Sequence, residues 1–143
     1  VSDERSQENT FRVRRDGLYR ILDYLRSTPA TPVIVLDVPK LPERTLKCSH
    51  KKAVFETVKE SCVVSRGWVD GQQQKMIELF QQIEQDYPEV IFLDPKALFC
   101  DENQCQTSFN GMPLYRDADH LNGVSSSVLG KAYLKHYEHP FVK

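Results

Sequence analysis

VIVLDV, residues 33–38, is a continuous apolar run rich in β-branched side chains, preceded by Pro32 and followed by Pro39. A strand with one wet face alternates apolar and polar residues, whereas a continuous run marks a strand buried on both faces, as in a parallel sheet. EVIFLD, residues 89–94, is a second run of this kind. Working outward, Leu18, Ile21, Leu22 and Leu25 fall at i, i+3, i+4 and i+7, which predicts an amphipathic helix from Arg14 to Ser27, stopped by Pro29 and Pro32. Asp70 reads as the N-cap of a second long helix to about Gln85, with Met76, Ile77, Phe80 and Ile83 inward and Pro88 ending it. A last helix is expected from about Ser125 to His136, with Val128, Leu129, Ala132 and Tyr133 on one side. The order helix–strand–helix–strand–long loop–helix is that of an α/β layered domain. Two strands are too few for a parallel sheet covered on both faces, so either short strands hide in the loops or the first strands lie upstream of residue 1, and the second is expected.

Composition limits the function classes. The chain has 143 residues, the length of one domain, with 40% hydrophobic and 27% charged residues, an ordinary globular balance. Nineteen basic residues against twenty acidic ones give a net charge of −1, without the basic excess of a nucleic-acid binder. No apolar run approaches the ~18 residues of a membrane span. No charged-then-apolar leader opens the chain, so any export signal is expected outside it.

Residues 1–10 read as a polar lead-in. Residues 39–69 read as an irregular insertion in which KKAVFETVKE (51–60) presents Val54, Phe55 and Val58 from a short helix. Pro95 to Asn122 reads as a loop. The four cysteines fall into two sequence-local pairs, Cys48/Cys62 in the insertion and Cys100/Cys105 in the loop. Three chemistries compete for them: disulfides, zinc and free thiols. Zinc knuckles want cysteines two to four residues apart, which only the second pair approaches, and the redox motif C-x-x-C is absent. Two structural disulfides fit best, and they imply an oxidising compartment.

The segment with the clearest chemistry is PLYRDADHLNGVSSSVLG, residues 113–130. Asp117 and His120 stand three apart just before the last helix. A carboxylate at that distance across a tight turn can reach a histidine's Nδ1–H, fixing the tautomer and stabilising the imidazolium, which is the orienter–base half of a nucleophilic triad. Taken alone, the same spacing also suits an aspartate that caps a turn beside a solvated histidine. Asp119 reads as a solvent or capping carboxylate, placed off the Nδ1 side of the ring. A metal site at Asp117, Asp119 and His120 lacks further ligand spacing, so no metal and no cofactor is expected. Ser125, Ser126 and Ser127 read as caps of the last helix. Ser65 lacks a strand-to-helix elbow, and Ser108 is the least implausible nucleophile within the chain. His50, beside Lys51 and Lys52, reads as a solvated loop residue, and His136 and His139 as cations suited to a helix C-terminus. Trp68, Tyr115 and Arg116 are candidates to line a sugar site.

EVIFLDP, the second cysteine pair, G-x-P-L-Y-x-D-x-x-H-L-N (residues 111–122) and an amphipathic helix, in that order, resemble the SGNH (GDSL-like) hydrolase superfamily. The resemblance is narrower still to SGNH domains fused behind integral-membrane acyltransferases that O-acetylate bacterial surface polysaccharides. It covers roughly residues 15–135 and is sharpest over 89–130. It implies a three-layer, flavodoxin-like parallel-sheet fold in which residues 1–143 are the C-terminal portion of one domain and 39–69 a disulfide-braced insertion. It also implies a serine-type O-acetyltransferase or esterase acting on a polysaccharide such as lipopolysaccharide O-antigen. His120 is then the general base and Asp117 its orienter; Tyr115 is read as a substrate contact on its own account, as an aromatic face two residues before Asp117. The implied partners are the polysaccharide acceptor, the N-terminal part of the same domain and a membrane acyltransferase, in the periplasm and tethered to the inner membrane. The family's Gly-Asp-Ser nucleophile element does not occur in this chain, and its oxyanion-hole Gly and Asn cannot be assigned here. The rival from another class is a non-catalytic SGNH-like module that binds glycan or supports a membrane acyltransferase.

Overall fold

The computed structural model describes residues 7–55 and 61–136. The chain forms two compact units, one from residues 1–34 and 75–92 and the other from residues 35–74 and 93–143. In chain order the elements are α1 (Gln7–Arg26), β1 (Val33–Val35), α2 (Glu43–Val54), β2 (Val63–Ser65), α3 (Arg66–Asp86), β3 (Ile91–Leu93), a 3₁₀ turn (Pro95–Leu98), β4 (Gln104–Gln106), β5 (Ser108–Phe109), β6 (Met112–Pro113) and α4 (Gly123–His136).

The first unit is built on α1 and the C-terminal half of α3. Leu22, Leu79, Ile83, Tyr87 and Val90 are its buried core, with Phe11, Leu18, Met76 and Phe80 packed around them. The helical periodicity of α1 is real, but its inward face runs through Phe11, Leu18 and Leu22, leaving Ile21 57% exposed. The helix also starts at Gln7, seven residues before the sequence reading, because residues 7–13 carry no breaker. Residues 1–6 of the expected lead-in lie outside the described residues. Arg26 closes the unit: its guanidinium lies 4.2 Å over the Tyr87 ring and pairs with Glu89 at 2.8 Å.

β1 and β3 pair as a two-stranded sheet. The Ile91 N–H donates to the Pro32 carbonyl and the Leu36 N–H to the Leu93 carbonyl, so the bonds advance along both strands in the same direction, as in a parallel pair. Burial on both faces does not hold throughout: Val35 is 67% exposed, and β3 is half-buried.

The second unit has a core of Leu41, Val64, Val69, Phe99, Cys105, Leu114, Tyr115 and Leu129. The segment expected to be a loop after β3 folds into antiparallel ladders. β4 pairs with β2 in the register Val64↔Cys105, and β5 with β6 in the register Phe109↔Met112. The β5–β6 turn is Asn110-Gly111, both with positive φ (50° and 79°), the backbone that a two-residue hairpin of right-handed twist requires. All four cysteines are bridged, Cys48 to Cys62 and Cys100 to Cys105.

Three local readings are corrected. Asp70 lies inside α3, where its carboxylate takes two contacts from Arg66 Nε at 2.9–3.0 Å, and the helix begins four residues earlier at Arg66. The helix of the insertion is Glu43–Val54, not residues 51–60. It buries Ser49 and packs Leu46 against the core, while Val54 and Phe55 are exposed and Val58 lies outside the described residues. α4 is capped by Asn122, whose Oδ1 accepts the Ser125 N–H at 2.8 Å, rather than by the serine hydroxyls.

Candidate active site

The segment from Leu114 to Asn122 doubles back on itself. Tyr115 bridges Leu121, the Arg116 N–H donates to the His120 carbonyl at 2.9 Å, and the Asn122 N–H to the Leu114 carbonyl at 3.0 Å. These bonds close a tight loop over residues 116–120. Asn122 joins the loop to α4, since its side-chain Nδ2 donates to the Pro113 carbonyl while its Oδ1 caps the helix.

Inside the loop, Asp117 Oδ1 lies 2.8 Å from His120 Nδ1. The same oxygen accepts the backbone N–H of His120 at 2.9 Å and of Asp119 at 3.2 Å. Oδ2 accepts from Arg116 at 3.0 Å. The hydrogen bond from the His120 ring, with further help from the Asp119 N–H and Arg116, holds the Asp117 carboxyl well below the usual carboxylate range. With Nδ1 engaged, Nε2 is the nitrogen left to accept a proton, on a side chain that is 63% exposed. A carboxylate-oriented, accessible imidazole of this kind can act as a general base.

Asp119 differs from expectation. Its Oδ1 lies 3.2 Å from His120 Nδ1, so the turn brings both carboxylates to the same side of the ring. The ligand atoms of Asp117, Asp119 and His120 lie within 4.8 Å of one another. Both Asp117 oxygens accept hydrogen bonds within the turn.

The other sequence candidates take different places. Tyr115 is not a sugar platform: it is 2% exposed, and its hydroxyl donates to the Pro39 carbonyl at 2.8 Å. Burial raises its phenol above the ordinary value. Leu114 beside it is buried as well, and both belong to the core cluster that holds Leu129. Trp68 is 38% exposed on α3, and Arg116 is exposed but committed to Asp117. His50 is no solvated loop residue; it sits half-buried on α2, its Nε2 2.9 Å from the Tyr115 carbonyl. Ser125 and Ser126 spend their hydroxyls on the Pro113 and Asn122 carbonyls. Ser65 Oγ accepts the Trp68 N–H at the start of α3, and Ser108 lies in β5 opposite Pro113. His136 ends α4, and His139 lies outside the described residues.

A cavity of ≈ 440 Å³ lies in the same unit. Its walls are Val35–Val38 and Leu93, at the carboxyl ends of β1 and β3, the inner side of α4, and Leu121, the neighbour of His120. In α/β sheets this end of the strands is where ligands bind.

A family model for the SGNH domain fused to AT3 domains matches residues 2–135. The chain is a member of that family. Neither the curated proteins nor the solved structures yield a match. Within the SGNH match lie both disulfides and the whole of the 116–120 loop. None of the helices among the described residues is long and apolar enough to cross a membrane.

Proposed function

We propose that this chain is the C-terminal portion of a three-layer SGNH domain that transfers an acetyl group to, or removes it from, a hydroxyl of a cell-surface polysaccharide outside the cytoplasm. The observation that carries the reading is the 2.8 Å contact between Asp117 Oδ1 and His120 Nδ1, one residue before Leu121 in the wall of the cavity at the carboxyl ends of β1 and β3. In this reading His120 Nε2 takes the proton of a serine hydroxyl as that oxygen attacks the acyl carbonyl. Asp117 keeps Nδ1 protonated and balances the imidazolium charge that forms. Protonation of the leaving alkoxide by the same Nε2 gives an acyl-serine. A sugar hydroxyl or water, deprotonated in turn by His120, then releases the acyl group. The serine and the oxyanion donors come from a Gly-Asp-Ser segment and its neighbours that are not in this sequence. Membership in a family fused to AT3 domains supports a membrane acyltransferase as the acetyl source, and the two disulfides support an oxidising compartment such as the periplasm.

The test is esterase activity of the pure 143-residue chain on a small acetyl ester. The expected result is no turnover above the buffer rate. Robust turnover that Ser108→Ala abolishes would place the nucleophile inside this chain and overturn the division of the site.

A further inference from the structure

Beyond the bonds that close it, the loop that carries Asp117 and His120, together with Tyr115 just before it, is tied to residues 39–50 of the same unit by three further bonds. The Leu41 N–H donates to the Ala118 carbonyl at 2.6 Å, the Tyr115 hydroxyl donates to the Pro39 carbonyl at 2.8 Å, and His50 Nε2 lies 2.9 Å from the Tyr115 carbonyl. Of these, only the His50 bond comes from a helix, and that helix is itself pinned. Ser49 Oγ donates to the Thr107 carbonyl at 3.1 Å, Cys48 is bridged to Cys62, and the Thr107 hydroxyl donates to the Cys62 carbonyl.

We propose that His50 is a positioning residue for the Asp117–His120 pair, donating Nε2–H to the Tyr115 carbonyl and so fixing the backbone at Tyr115, from which the 116–120 loop springs. This rests on the reading of that pair as catalytic, but the geometry it predicts is measurable without any activity. A carbonyl is only an acceptor, so the contact requires the proton on Nε2. A half-buried carbonyl that loses its donor is left unsatisfied, and the backbone that carries it must shift to find another. Any such shift moves Tyr115, and Arg116 and Asp117 follow it directly in the chain. The sequence gives no hint of this role, because His50 stands sixty-five residues from its partner among lysines.

The experiment uses NMR on the full chain. In the unmodified protein, long-range proton–nitrogen spectra at neutral pH should show His50 protonated on Nε2; a neutral ring carrying its proton on Nδ1 alone overturns the proposal without any mutation. His50→Leu removes the donor, and His50→Gln keeps one, since the Gln Nε2 lies the same number of bonds from Cα. The readout is the ¹³C titration of the Asp117 carboxyl, which stability alone does not move. His50→Leu should raise its midpoint toward the ordinary ~3.9, and His50→Gln should keep it at the wild-type position. A folded His50→Leu with the wild-type Asp117 midpoint overturns the proposal. The catalytic reading fails by a different measurement, acetyl transfer by His120→Ala, so the two failures are distinguishable.

Discussion

Asp117 binds His120 twice through one atom: Oδ1 lies 2.8 Å from the ring Nδ1 and 2.9 Å from the backbone nitrogen of the same residue. A carboxylate bonded to both the main chain and the ring of one residue fixes the ring's rotation as well as its tautomer. The i, i+3 spacing makes this possible, because the turn over residues 116–120 lays the carboxylate beneath the amide it precedes.

Replacing Asp117 by asparagine should therefore cost far more than replacing Asp119. An amide at 117 presents an N–H to Nδ1 and favours the proton on Nε2, the wrong tautomer for a base, with a loss on the order of 10⁴ in transfer rate. Asp119 sits 3.2 Å from Nδ1 but half exposed, as a screened charge rather than a bonded partner. Asp119→Asn should cost less than about tenfold, the scale of an exposed ion pair worth up to ~1 kcal/mol. The comparison is made on acetyl-transfer rates of the intact fused protein, and a reversed order would make Asp119 the orienter.

The depressed Asp117 carboxyl carries a pH signature. The folded value lies below the unfolded one, so as pH falls the unfolded chain takes up this proton first. The stabilising contribution is fully present above the ordinary carboxylate value of ~3.9 and is lost as pH falls through the depressed folded value. Urea unfolding of wild type and Asp117→Asn should show a gap that is constant near neutrality and closes in acid. A gap that does not change with pH contradicts the pairing.

Tyr115→Phe tests the core placement of Tyr115. The ring is buried and its hydroxyl donates to Pro39, so the change should lower stability by ~1 kcal/mol and leave binding of acetylated glycan unchanged. A loss of glycan affinity without loss of stability would return Tyr115 to the site.

Much of this was readable in the sequence, and the misses have physical causes. The long helices, VIVLDV, EVIFLD, the local cysteine pairs and the D-x-x-H spacing are all short-range signals, and each names a feature that the structure contains. The Asn110-Gly111 dipeptide is an equally local hairpin signal, but Pro95–Asn122 lacks the long apolar runs that mark strands. Asn122, three residues before the N–H it caps, stands shortly before three consecutive serines that compete with it as cap candidates. The inward turn of Tyr115 and the reach of His50 could not be read locally, since each depends on a partner far away in the chain, Pro39 for the Tyr115 hydroxyl and Tyr115 for His50.

The two disulfides should differ in weight. Cys48–Cys62 closes fourteen residues of chain and should contribute about 3 kcal/mol by the loop-entropy model; Cys100–Cys105 closes five and should contribute about 2. Paired Cys→Ser variants compared by urea unfolding check the order. Because Cys48 precedes Ser49 and His50 on α2, loss of the first bridge should also disturb the resonances of Asp117 and His120, whereas equal and purely global effects of both bridges contradict that link.

The account turns on His120 as the base. The most direct measurement is the acetyl content of the surface polysaccharide made by the intact fused protein carrying His120→Ala, with expression and folding matched to wild type. General-base assistance is typically worth ~10²–10⁴ in rate, so acetylation should fall to the background of a strain lacking the protein. Acetylation at the wild-type level with His120→Ala would contradict the proposed mechanism outright.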